Sequence, residues 1–191
     1  SPRARALLPR GRIGAPARLT EGTDFARAAP SPTRTRRIGA PFTQTMVIDI
    51  HTHAFPDALA ERAVAQLASV AQVPPHTNGT CAGLRTSSRQ AGIDLSVIMP
   101  IATKPSQVRS INTWAAQVNA ATDGLLCFGT LHPQQEDWAA EIERMVATGI
   151  KGVKFHADYQ GFFVDDAALF PLYRALAAAG LIVLHHAGVD I

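Results

Sequence analysis

From Met46 onward, short unbroken apolar runs alternate with stretches whose apolar residues recur at helical spacing. Residues 47–50 form the first run, which ends in His51-Thr52-His53; Pro56-Asp57 then opens an Ala/Leu-rich helix reaching Val70. A loop is expected over 72–83. Residues 95–99, bounded by Gly92 and Pro100, read as a second buried strand. Ser106 opens a helix with Val108, Ile111, Ala115 and Val118 on one face, and residues 125–130 make a third strand closed by His132-Pro133. Trp138, Ile142, Met145 and Val146 stripe the next helix, which Gly149 ends. Residues 150–156 are strand four, Leu169, Leu172, Tyr173 and Leu176 mark the following helix, and Gly180 precedes strand five over 181–184.

This rhythm is that of βαβ units around a parallel sheet buried on both faces, so the fold class is α/β. An open doubly wound sheet and a (β/α)8 barrel of the TIM type both fit. A doubly wound dinucleotide binder needs a glycine-rich turn after its first strand; the turn here, residues 51–56, has no glycine, and that reading loses its main support. Strands one, three, four and five instead carry histidine at their carboxyl ends: His51 and His53, His132, His156, and His185 with His186. In both architectures that end of the sheet is where chemistry is done. His76, in a Pro-containing loop, is the exception.

Alternation puts His51 and His53 on one side of their strand, with Asp49 one step behind. Two neutral imidazoles so placed suit a divalent borderline metal such as zinc, and a nearby carboxylate can orient one of them. In strand four, Val153 and Phe155 share one face and Lys154 and His156 the other. A lysine there either forms an ion pair with a carboxylate such as Asp49 or Asp158, or serves a ligand. His132-Pro133 suits a plain turn as well as a site. Periodicity leaves open which of His185 and His186 points inward.

Charge changes the picture at one end. The chain has 191 residues, 47% of them hydrophobic, and a formal charge of +3. Residues 1–45 hold nine arginines, no lysine, and only Glu21 and Asp24 as acids, so the remainder is net acidic. That first stretch is rich in Ala, Pro, Ser and Thr without apolar periodicity. It reads as a disordered leader or a mis-assigned start, with a targeting segment or a basic nucleic-acid arm as alternatives. The arginines lack interleaved aromatics, which weakens the nucleic-acid reading. No run of roughly 18 apolar residues offers a membrane span. Two cysteines, Cys81 and Cys127, are too few for a disulfide framework, so a reducing, cytoplasmic setting is the default.

Three segments carry a family resemblance. Residues 47–57 (VIDIHTHAFPD), 149–156 (GIKGVKFH) and 184–190 (LHHAGVD) together resemble the amidohydrolase-related family of metal-dependent (β/α)8 barrels, within it the aminocarboxymuconate-semialdehyde decarboxylase-like branch. The resemblance covers residues 46–191. It implies that His51 and His53 are metal ligands and that His186, which precedes Ala-Gly, is the strand-five ligand rather than His185. Zn2+ is the implied metal, with Mn2+ as an alternative. Binuclear members use a carboxylated lysine where Lys154 stands, whereas this branch is generally mononuclear, so Lys154 and His156 are expected to be catalytic residues on the substrate side or residues that support the metal ligands.

The family also supplies a strand-six histidine and a strand-eight aspartate, which this chain does not reach. A (β/α)8 barrel takes about 250 residues, and residues 46–191 offer 146. The expectation is therefore the first part of a barrel, truncated after about five strands, inactive alone and marginally stable because two sheet edges stay open. For the complete protein, the resemblance implies hydrolysis of a small-molecule amide, lactone or ester. The alternative is decarboxylation of a small unsaturated or aromatic acid, and a reading of another class is an inactive fragment or binding module. A phosphoesterase is disfavoured by the absence of a glycine-rich phosphate cradle. The expected partner is a small-molecule substrate, not nucleic acid or membrane, with homo-oligomers when full length.

Overall fold

A computed structural model describes residues 45–121 and 123–188. The expected leader therefore falls, apart from Thr45, outside the described residues. Met46–Ile191 groups as one compact unit.

The elements follow the sequence pattern with two additions. Strand β1 (Ile48–Thr52) leads to helix α1 (Asp57–Ala71), and a helix not expected from the sequence, α2 (Cys81–Gln90), precedes β2 (Leu95–Ile98). A 3-10 turn at Pro105–Gln107 runs into α3 (Val108–Ala120). The third strand is divided into β3 (Leu125–Cys127) and β4 (Gly129–Thr130), followed by α4 (Trp138–Ala147) and β5 (Gly152–Phe155). A one-turn helix α5 (Ala157–Gln160) comes next, the second addition, then a 3-10 turn (Ala167–Leu169), α6 (Phe170–Ala178) and β6 (Ile182–His185).

All strand pairs are parallel, in the orders β1-β2-β3 and β4-β5-β6. The break at Phe128 is where the third strand changes partner. Up to that residue, whose N–H donates to the Ile98 carbonyl at 2.9 Å, it bonds to β2; beyond it, Gly129 and Thr130 pair with Val153 and Lys154 of β5. The six labelled strands are thus the five expected ones in an open arc. Among the described residues the arc does not close into a barrel.

Helices cover one face. Ile98, Leu125, Cys127, Val153, Phe155 and Leu181 of the sheet region pack there against Val108, Ala115, Ile142, Met145, Leu172 and Leu176 of the helices. The opposite, inner face holds a small cluster, Val97, Met99 and Phe128, with Leu126 and Leu184 against it. Gly152 makes room for it: a Cβ at that position would lie 2.4 Å from the Phe128 ring. At the two edges of the arc apolar side chains reach solvent, with Ile48 46%, Ile50 56% and Ile182 58% exposed. A membrane span is not among the elements: no described helix is long and apolar enough to cross a bilayer.

Candidate active site

The alternation of β5 decides where Lys154 goes. Val153 and Phe155 enter the helix-side core, so Lys154 and His156 face inward. Beta6 behaves likewise: Val183 packs on the helix side and Leu184 on the inner cluster. His185 therefore turns outward, stacked on Phe155 at 5.4 Å and set edge-on to Tyr173 at 5.7 Å, while His186 faces inward. Gly188 lets the chain pass the His186 ring, since a Cβ there would come within 3.0 Å of Nε2.

His51, His53, Lys154, His156 and His186 line one cavity of about 630 Å3 at the carboxyl ends of the strands. This is an ordinary size for a small-molecule site. The His51 and His53 rings lie 5.1 Å apart, tilted by 58°. Asp49, behind them, accepts the His51 backbone N–H at 3.1 Å. On the far wall Tyr159, His156 and His186 form a stack, with ring separations of 3.9 and 4.1 Å. His156 Nδ1 accepts the Tyr159 N–H at 3.5 Å, which caps α5 and puts the ring proton of a neutral His156 on Nε2.

Lys154 is wholly buried, and its Nζ has no hydrogen-bond partner. The expected ion pair with Asp49 or Asp158 is not formed: the described residues contain no salt bridge to Lys154. Burial lowers the pKa of its ammonium. Burial, followed by the positive charge of Lys154 and the proximity of His186, also lowers that of His51, with Asp49 opposing weakly. His53 is pushed down to about 4 by burial, His51 and Lys154, against a weak pull from a hydrogen bond to the Met99 backbone. Both members of the pair are thus neutral imidazoles at pH 7, the form that can ligate a metal.

In donor chemistry these residues fit a metal such as Zn2+. In arrangement, no group of three or more His, Cys, Asp or Glu side chains among the described residues is gathered to hold one. His186 lines the same cavity as the pair but has its ring face committed to the stack with His156. His132 is buried away from the cavity lining, where Nδ1 accepts the Gln134 N–H at 3.2 Å, the plain turn role.

Sequence reading missed Gln160. This buried side chain accepts the His156 N–H at 2.9 Å and donates to the carbonyls of Ala102 (2.9 Å) and Leu131 (2.7 Å). It ties the ends of three strands together beneath His156. Thr130 adds a second tie, its hydroxyl accepting the Ala102 N–H and donating to the Lys154 carbonyl. Nothing in the local pattern distinguishes such a glutamine from a surface residue of a short helix. The apolar part of the cavity was missed too: Phe55, Leu59, Leu67, Ile111 and Trp114 line it, and Ile111 does so while also packing against the helix-side core as its stripe predicts.

Comparison with known proteins agrees with this architecture. A family model described as Amidohydrolase matches residues 48–190. Similar solved structures include the apo form of IDCase from Metarhizium anisopliae, with 22% identity, a TM-score of 0.57 and coverage of 74% of this chain and 50% of that one. Another is a probable 2-pyrone-4,6-dicarboxylic acid hydrolase from Acinetobacter baumannii with citric acid bound, with 15% identity, a TM-score of 0.50 and coverage of 75% and 50%. The chain spans about half the length of these neighbours. Curated proteins give no match.

Proposed function

The chain belongs to the amidohydrolase family, and from that premise we propose that the whole protein is a metal-dependent hydrolase of a small-molecule amide, lactone or ester. The observation that carries the reading is the convergence of His51, His53, Lys154, His156 and His186 on one cavity at the strand ends. His51, His53 and His186 would hold Zn2+ or Mn2+, which when bound supplies Lewis acidity toward a carbonyl and toward water. His51 and His53 stay deprotonated at neutral pH and so are ready as ligands. Lys154 offers an unpaired ammonium to the substrate oxygen that gains negative charge. His156, fixed through Nδ1 and through Gln160, presents its Nε2 proton to the leaving group.

A second reading, decarboxylation of a small unsaturated or aromatic acid, is favoured by one observation. Lys154 is a buried cation in a largely apolar cavity, where it can stabilise a substrate oxygen that takes up the electron pair left on carbon as CO2 departs, and His156 can return a proton to that carbon. One of the solved neighbours is named IDCase and the other a probable 2-pyrone-4,6-dicarboxylic acid hydrolase. Metal analysis of the full-length protein, with assays of ester and lactone cleavage and of CO2 release, tests both readings. About one metal per chain is expected, with His53→Ala lowering metal retention and turnover by more than about tenfold. No metal and no turnover would leave a non-catalytic binding module.

A further inference from the structure

The cavity has a second polar region, supplied by neither the histidines nor Lys154. Thr103 from the connection after β2, Gln107 at the end of the 3-10 turn and Ser110 in the first turn of α3 line it, and all three are exposed. Gln107, Ser110, Ile111 and Trp114 follow one another at the i, i+3, i+4 and i+7 spacing of a single helix face. The start of α3 therefore turns one continuous stripe to the cavity, polar at its beginning and apolar beyond.

Hydrogen bonds fix which way the Gln107 amide faces. Its Oε1 accepts the Thr103 N–H at 2.8 Å, the Thr103 hydroxyl at 3.1 Å and the Lys104 N–H at 3.2 Å. Turning the amide over would set its NH2 against two backbone N–H donors, so Nε2 points away from this turn. The turn is anchored in its own right. Buried His132, whose Nδ1 accepts the Gln134 N–H, makes a ring hydrogen bond to the Thr103 backbone.

The neighbouring hydroxyls have no proton left to offer. That of Thr103 goes to Gln107 Oε1, and that of Ser110 goes to the Gln107 carbonyl at 2.9 Å. Gln107 Nε2 donates to nothing among the described residues, so of these three side chains it is the one that presents a donor. Capping alone does not call for it. Glutamate would offer the same oxygen to the turn, and its charge would suit the start of α3. What glutamine adds is the NH2 group.

We propose that Gln107 is a specificity-determining residue. Its Nε2 donates to a carbonyl or hydroxyl oxygen that the ligand carries away from its reacting group, and the hydrocarbon between the two lies along Ile111 and Trp114. This rests on the functional reading above for its place in a reaction, though not for binding itself.

The test uses the 15N-labelled 191-residue chain without added metal, so that no ion competes for the probe's oxygen. It is titrated with 4-phenylbutan-2-one, 4-phenylbutan-2-ol and (3-methylbutyl)benzene, which differ in bearing a carbonyl, a hydroxyl or a methyl at one carbon. Gln107→Glu keeps the capping oxygen and puts an acceptor where Nε2 stood. We expect the ketone and the alcohol to bind at concentrations about fivefold below those for the hydrocarbon. The side-chain amide resonances of Gln107, assigned from triple-resonance spectra, shift with the ketone. In Gln107→Glu the ketone binds about fivefold or more weakly than to the unaltered chain. The alcohol, able to donate to the new carboxylate, keeps its advantage, and the urea midpoint does not fall.

Equal binding of ketone and hydrocarbon, no saturation by the ketone, or a ketone preference that survives Gln107→Glu overturns the inference. So do Gln107 amide resonances that stay in place as the ketone saturates, and this readout on the unaltered chain decides alone if Gln107→Glu proves destabilised. Metal uptake, measured separately on the same chain, keeps the two readings apart. Uptake without the ketone preference sinks the present inference alone, and the preference without uptake sinks the metal-enzyme reading alone.

Discussion

The two faces of the sheet are built on different terms. On the helix side, Val153, Phe155, Ile98 and Cys127 meet helix residues such as Leu176, Met145 and Ala115 in a continuous apolar layer. On the inner side, three buried apolar residues adjoin a buried lysine and a row of histidines. The same strands supply both, one residue apart. The helix side follows the rule that buried surface should be apolar and close-packed. The inner side breaks it at Lys154, and the cost is tolerable because the outer layer holds the strands in place.

Substitutions can break this contrast. The largest effect is expected for Leu176→Ala, which empties a fully buried position of the outer layer and should cost about 2–5 kcal/mol in urea unfolding. Gly152→Ala comes next. Its Cβ meets the Phe128 ring, so overpacking of the inner cluster should cost about 1–3 kcal/mol by the same measurement.

Lys154→Met should have the opposite sign. Removing a buried, unpartnered ammonium should raise the unfolding free energy in urea by about 1 kcal/mol or more. A loss of stability would mean that the inner face is built for the fold in the same way as the outer one.

The smallest effect is on pH dependence. The native pKa of His53, about 4, lies below the usual value of 6.5. Between those values the unfolded chain binds a proton that the native chain does not, so this residue's contribution is full above pH 6.5 and is lost as pH falls toward 4. His53→Asn should flatten the stability–pH curve in that window, seen as a smaller fall in urea midpoint from pH 7 to 5.

The outer face was the legible one. Helix stripes such as Ile142 and Met145, and unbroken runs such as 95–99, are local signals read along the chain, and the elements formed where they stand. The weak points were equally physical. Helix α2 has the sequence CAGLRTSSRQ, whose glycine, serines and threonine carry low helix propensity. Its start is marked instead by Thr80, whose side chain accepts the Gly83 N–H. The split of the third strand depends on which neighbours it pairs with, and no local signal encodes that.

For the site, the H-x-H pair and the inward turn of Lys154 and His156 follow from alternation alone. Periodicity left His185 and His186 undecided; the family resemblance pointed to His186, and the register of β6 on β5, with Phe155 opposite His185, supplies the geometric reason it faces inward. Gln160 and the cavity lining from Leu59, Leu67 and Trp114 join residues far apart in sequence. Their roles come from the packing of α1, α3 and α5 around the strand ends.

The partner change at Phe128 sets up a mechanical relation. His51 and His53 ride on the three strands before it, whereas Lys154, His156 and His186 ride on those after it. The two groups of imidazoles therefore belong to two halves of one arc that are buttoned together at Ala102, whose N–H and carbonyl are held by Thr130 and Gln160 of the other half. The gap between the two groups is set by those buried bonds as well as by the third strand.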